Sequence, residues 1–169
     1  MADEFSYRAE AAAEYDRAFS HVSAHFLPFL LRSAQLAPGQ RVLDVATGTG
    51  IAAEAALGTV GPVGSVLATD MSPEMVEKAR QRLDRWPNAA VAVEDGQALS
   101  LADESFDAVV CSCGLMFFPD PGRGLAGFYR VARSGGRAAV SVLTAAERSY
   151  NGRINVIMAR HIPKLMRPL

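Results

Sequence analysis

The chain has 169 residues, 50% of them apolar and 21% charged, and its 17 basic and 18 acidic side chains leave a formal net charge of −1. That length fits one domain with a substantial core, and that balance supplies no basic footprint for a nucleic-acid backbone. No run approaches the roughly 18 consecutive apolar residues of a membrane-spanning helix, and the charged start "MADEFSYRAEAAAEYDRAF" has no apolar h-region of a secretory signal, so a cytoplasmic protein is expected.

Taken in chain order, residues 1–36 read as helical. Ala and Glu dominate early, and "HVSAHFLPFLLRSAQL" follows with an apolar face in which Pro28 is expected to kink the helix or mark its boundary. "APGQ" reads as a turn. An alternation then begins. Val42–Ala46 is a buried strand, Ile51–Leu57 a short helix and Ser65–Thr69 a second strand. Ser72 and Pro73 are N-cap and first residue of a helix running to about Arg85. "NAAVAVED" and "FDAVVCSC" are the third and fourth strands, Gly122–Ala132 a helix weakened by Gly124 and Gly127, and "SGG" a turn into a fifth strand, Arg137–Leu143. Strands that alternate with helices and are apolar on both faces predict an α/β fold, a parallel sheet covered on both sides. From Ala145 on, Ile154, Ile157, Met158, Ile162 and Leu165 fall on one face of a further predicted helix.

The stretch "RVLDVATGTG" carries the strongest chemical signal. Ligands of open parallel sheets bind beyond the carboxyl ends of the strands, and Thr-Gly-Thr-Gly stands at that end of the first strand. Gly48 and Gly50 permit close backbone approach, and the following helix offers free N–H groups. A glycine pair alone is a common turn. Acids at successive strand ends sharpen it. Asp70 closes strand two, where a carboxylate can accept both ribose hydroxyls of a nucleoside, and Asp95 follows strand three, within reach of an adenine amino group. Asp44, inside strand one, can meet a cationic amine. Each acid alone is as readily a loop or cap aspartate. "GTGIAA" also fits G-x-G-x-x-A with Asp70 about 20 residues on, which leaves an NAD-dependent oxidoreductase as the alternative. A non-catalytic cofactor-binding fragment is the second.

Together "VLDVATGTG", "ATDMSPEM", "EDGQALSLADESFDAVVCSCGLMFFPD" and "YRVARSGG" resemble the class I S-adenosylmethionine-dependent methyltransferases, with the ubiquinone/menaquinone-biosynthesis type as the nearest flavour. The likeness covers roughly Leu36 to Val142. It implies a Rossmann-like three-layer α-β-α sandwich of strand order 3-2-1-4-5, S-adenosyl-L-methionine as cofactor and a small-molecule acceptor. It implies that Ala46, Thr47, Gly48 and Gly50 hold the methionine moiety, that Asp70 binds the ribose and Met71 packs on the adenine, that Asp95 and Gly96 read the adenine rim, that Cys111 and Ser112 line the methyl, and that Tyr15 closes over the cofactor. Ala46 departs from the family's usual glycine, and Gly127, Ala132 and Ser134 depart from its "RVLKPGG"-like segment. The resemblance further implies residues 1–36 as a helical cap, 37–144 as the cofactor-binding core and 145–169 as the start of a substrate-capping helix. Later strands would then be missing, and self-association is expected from the open edge at strand five and the apolar C-terminal stripe.

No metal site is expected. Cys111 and Cys113, the only cysteines, lack a second ligand cluster and pair poorly at strand spacing. His21 and His25 share a helical face but read as packing or surface residues. No catalytic acid, base or nucleophile can be assigned.

Overall fold

The computed structural model describes residues 24–144 and Arg148. A helix over 24–33 (α1) precedes β1 (Arg41–Val45), α2 (Ile51–Val60), β2 (Ser65–Asp70), α3 (Pro73–Leu83), β3 (Ala89–Val93), β4 (Phe106–Ser112), a 3-10 turn (Leu115–Phe117), α4 (Pro121–Val131) and β5 (Ala132–Ser141). The five strands form one parallel sheet in the order β3-β2-β1-β4-β5. This is the Rossmann-like α/β architecture and strand order that the motifs implied.

Alternation along the strands divides the core. Val42, Val66, Ala68, Ala108 and Val110 join α1 and α2 in one buried cluster, while Leu43, Val45, Val109 and Cys111 face α4 in another. Successive strand residues point to opposite faces, so each central strand feeds both layers. The edge strands are the exceptions: β3 has no fully buried residue, and β5 buries only Ala139.

Three boundaries differ from the sequence reading, each for a local reason. Pro28 neither ends nor bounds α1, which continues to residue 33; Leu27 and Leu30 on either side of it are buried against α2 and the sheet, and that packing carries the helix across the missing N–H. α2 passes Gly58 and ends at Val60, which is fully buried, before Gly61 caps it with its N–H on the Leu57 carbonyl. The expected "SGG" turn lies inside β5. There Gly135 has φ 77, and the register with β4 slips between Phe106 and Ala108, so the strand starts at Ala132 and absorbs the turn residues as an irregularity.

Of the expected cap, 1–36, the described part from residue 24 packs into the sheet's own core through Leu27, Leu30 and Ala34. The expected C-terminal helix, 145–169, lies outside the described residues apart from Arg148, as do Tyr15 and His21. No helix among the described residues is long and apolar enough to cross a membrane.

Candidate functional site

Strand order fixes where a ligand can sit. β1 lies between β2, reached by the first crossover, and β4, reached after the chain returns from the opposite edge. The carboxyl ends of β1 and β4 therefore flank the topological switch point, where open parallel sheets bind ligands. The loop after β1 occupies that position.

Its conformation is unusual. Ala46, Gly48 and Gly50 have φ of 55°, 58° and 87°, so alternate residues stand in the left-handed region. The two glycines adopt it without the Cβ penalty, and Ala46 does not. Space separates the glycines. A Cβ on Gly48 would meet nothing within 4 Å, whereas one on Gly50 would lie 3.2 Å from Cα and Cβ of Ala79 on α3. Gly50 is glycine so that α3 can pack on the head of α2. Gly48 leaves an open approach to the backbone.

The acids are joined to this loop. The Gly48 N–H donates to Asp70 Oδ2 at 2.9 Å, and the Ser72 N–H donates to Oδ1 at 3.0 Å. Each oxygen retains acceptor capacity beyond that one bond. Burial pushes the Asp70 carboxyl above its ordinary range, against the pull of the backbone N–H groups of Ser72, Gly48 and Met71. Asp44 is fully buried. Thr47 Oγ1 donates to its Oδ2 at 2.6 Å, while Oδ1 is buried without a hydrogen-bond partner. Burial pushes its carboxyl up to about 7; the Thr47 hydroxyl opposes the shift, the nearby Asp70 charge adds to it, and the Ala53 backbone N–H, which approaches without closing a hydrogen bond of good geometry, opposes it.

The remaining predicted residues stand around this pair. Met71 is 68% exposed at the end of β2, an unusual position for an apolar side chain. Asp95 is exposed two residues past β3 and accepts from the Gln97 N–H, with no bond to the loop among the described residues. Gly96 is buried, and a Cβ there would strike the Phe118 ring. Ser112 ends β4 half-buried, and Cys111 is buried in the cluster facing α4. Burial, with the Asp44 charge, pushes the Cys111 thiol up to about 12, so it stays a neutral thiol and not a nucleophile.

Two grooves lie elsewhere. One of about 540 Å³ runs between Gln97–Leu101 and α4, and one of about 600 Å³ lies between α1 and α2. Neither is lined by Asp44, Asp70 or residues 46–50. Chemistry singles out the strand ends instead: backbone N–H groups converging on Asp70, a buried acid beside a half-buried one and an orphaned carboxylate oxygen are present there together.

A family model described as a methyltransferase domain matches residues 43–140. The chain belongs to the methyltransferase domain family. Membership decides between the two cofactors the motifs left open, in favour of S-adenosyl-L-methionine. The chain is 39% identical to the arsenite methyltransferase of Halobacterium salinarum over 110 residues, covering 64% of this chain and 28% of that protein. It is 36% identical to a ubiquinone/menaquinone biosynthesis C-methyltransferase of Geotalea uraniireducens over 116 residues, 66% of this chain and 49% of that protein. The fold matches the crystal structure of an S-adenosylmethionine-dependent methyltransferase from Aquifex aeolicus at TM-score 0.71 and 22% identity, over 90% of this chain and 86% of that one. The chain thus spans half or less of the length of these two curated relatives.

The residues present fit that cofactor. The free space over Gly48 admits a ligand to the backbone, the unpartnered Oδ1 of Asp44 is suited to a cationic amine, and Asp70 can accept from hydroxyls. Sequence reasoning missed two residues that shape the loop. One is Gly114, where a Cβ would lie 2.5 Å from that of Ala46. The other is Arg82, whose Nε donates to the Thr49 carbonyl at 2.7 Å. Helical spacing places Arg82 beside the buried stripe of α3, three residues after Ala79, but carries no signal of its bond to Thr49.

Proposed function

We propose that the chain binds S-adenosyl-L-methionine at the loop 46–50 and transfers its methyl to a small-molecule acceptor. The observation that carries this reading is the direct bond from the Gly48 N–H to Asp70 Oδ2, which unites the glycine loop and the acid at the end of β2 in one site. The cofactor supplies an electrophilic methyl on a sulfonium, so the protein's task is mainly proximity and in-line orientation.

The chain's residues then divide that task. Residues 46–50 receive the methionine moiety over the open backbone of Gly48, and Asp44 faces its amine. Asp70 accepts from the ribose hydroxyls. Met71 offers its exposed side chain to one adenine face, and Asp95 and Gly96 stand at the adenine rim. Ser112, with Cys111 behind it, borders the methyl. Tyr15 is assigned to closure over the cofactor on the family resemblance alone. No residue is assigned as a general base; one is required only if the acceptor must lose a proton during attack.

An apolar, quinone-precursor-like acceptor is favoured by the side chains beyond β4 and β5. Met116 and Phe117, and likewise Val142 and Leu143, are 40% or more exposed. The test is transfer of a labelled methyl from S-adenosyl-L-methionine to a panel of hydroxylated aromatic, quinol and arsenite acceptors. Transfer to quinols is expected. Cofactor binding without transfer to any acceptor would leave a binding module.

A further inference from the structure

Arg82 lies outside every motif that carries the family resemblance, on the last turn of α3. Its guanidinium nevertheless reaches the cofactor loop. Nε donates to the Thr49 carbonyl at 2.7 Å, and Nη1 lies 3.4 Å from Glu54 Oε2 in the first turn of α2. A planar guanidinium can hold two acceptors at once in a fixed fork. Arg82 therefore ties together the loop before α2, the first turn of α2 and the end of α3. The opposite end of α3 touches the same loop through a different group, because Asp70 and Ser72 precede α3 and Asp70 accepts from Gly48. Between the two ends, Ala79 packs so close to Gly50 that a Cβ there would lie only 3.2 Å from it.

We infer that Arg82 is a positioning residue for the cofactor: by holding the Thr49 carbonyl it fixes the left-handed geometry of Gly48 and Gly50 on either side before any ligand arrives. A preorganised loop does not lose the entropy of ordering on binding, so its loss weakens affinity without altering the reacting atoms. Partly buried placement strengthens the case. The Arg82 side chain is 29% exposed, against 71% for Arg85, which pairs with the same Glu54 but has no bond to the loop among the described residues. Arg85 is thus the matched control for loss of a cation beside Glu54.

The inference rests on the proposed cofactor site, and the experiment separates the two. Amide hydrogen exchange is measured in the unliganded protein at Thr47, Gly48 and Gly50, whose N–H groups are bonded to Thr69 O, Asp70 Oδ2 and Thr47 O. Arg82→Ala is expected to speed exchange there by about tenfold or more relative to β1, while Arg85→Ala leaves it unchanged. In calorimetry with S-adenosylhomocysteine, Arg82→Ala is expected to weaken binding about tenfold. In turnover, KM for the cofactor rises and kcat at saturation is kept. Arg82→Lys, which retains a cationic donor but not the planar fork, is read in the same way should the alanine variant melt below the assay temperature, with a smaller effect expected. Unchanged loop exchange in both Arg82 variants, or equal effects of Arg82→Ala and Arg85→Ala, overturns the inference. Faster loop exchange in a protein that does not bind S-adenosylhomocysteine leaves the clamp standing and removes the cofactor reading.

Discussion

The methyl of Ala46 and the missing side chain of Gly114 are complementary: a Cβ on Gly114 would stand 2.5 Å from the Ala46 Cβ, well inside contact distance. Ala46 thus keeps a methyl in the left-handed region, where many family members use glycine, because the loop after β4 yields the space. Gly114→Ala is expected to cost about 1–3 kcal/mol through overpacking. Ala46→Gly is expected to lie within about 0.5 kcal/mol of the parent, because relief of the left-handed strain offsets the added freedom of the unfolded chain. The double variant should recover part of the Gly114→Ala loss, though Cys111 Sγ, 3.0 Å from the same point, prevents full recovery. Urea melts of the four proteins check the cycle; strict additivity would show that the two positions do not meet.

The two loop glycines should separate in function. Gly48→Ala has room for its Cβ and carries only the left-handed penalty, about 1–2 kcal/mol of stability. Gly48→Val should also lose ligand binding by filling the approach to the backbone. Gly50→Ala adds contact with Ala79 to its φ of 87°, so it should destabilise more than Gly48→Ala. Thermal melts beside S-adenosylhomocysteine titrations read both effects, and the reverse ranking in stability would assign the open approach to the wrong glycine.

Asp70→Asn retains one acceptor oxygen but loses the charge that would meet the ribose. Affinity for S-adenosylhomocysteine should fall by about 1.5–3 kcal/mol, the range for a hydrogen bond to a charged group. Calorimetry on the variant decides it, with Asp95→Asn as a companion expected to lose less because Asp95 is exposed.

Asp44 gives the protein a pH signature. Its carboxyl is raised from 3.8 to about 7, so the folded state holds a proton that the unfolded state releases. Stability from this group is fully present below about pH 4 and is lost as pH rises to about 7, then levels. Asp70, also raised, contributes in the same direction. The difference in melting temperature between the parent and Asp44→Asn should therefore shrink or invert between pH 5 and 7.5. If a cationic amine meets Asp44, ligand binding near pH 6.5 should also release protons, measurable as a buffer-dependent calorimetric enthalpy.

Motif spacing made the centre of the sheet legible and left its joints obscure. β1, the glycine loop and the Ser72 cap are local in sequence, so chain-neighbour reasoning reached them. Ser72 does accept from the Met75 N–H, as an N-cap does. Pro28 does not bound its helix because the packing of Leu27 and Leu30 overrides a local breaker, and the "SGG" residues fall within β5, where the pairing with β4 shifts register before it resumes at Arg137. The ties from Ala46 to Gly114 and from Thr49 to Arg82 join residues far apart in the chain, and no single-window pattern encodes such contacts.

The assignment of residues 46–50 and Asp70 to the cofactor is tested most directly by backbone amide shifts during titration of the isotopically labelled chain with S-adenosylhomocysteine. The largest changes should fall at Thr47–Gly50 and Asp70–Ser72, followed by Asp95 and Gly96, and NAD should leave these amides unmoved. Absence of shifts at the loop, or shifts confined to the groove between Gln97–Leu101 and α4, would contradict it.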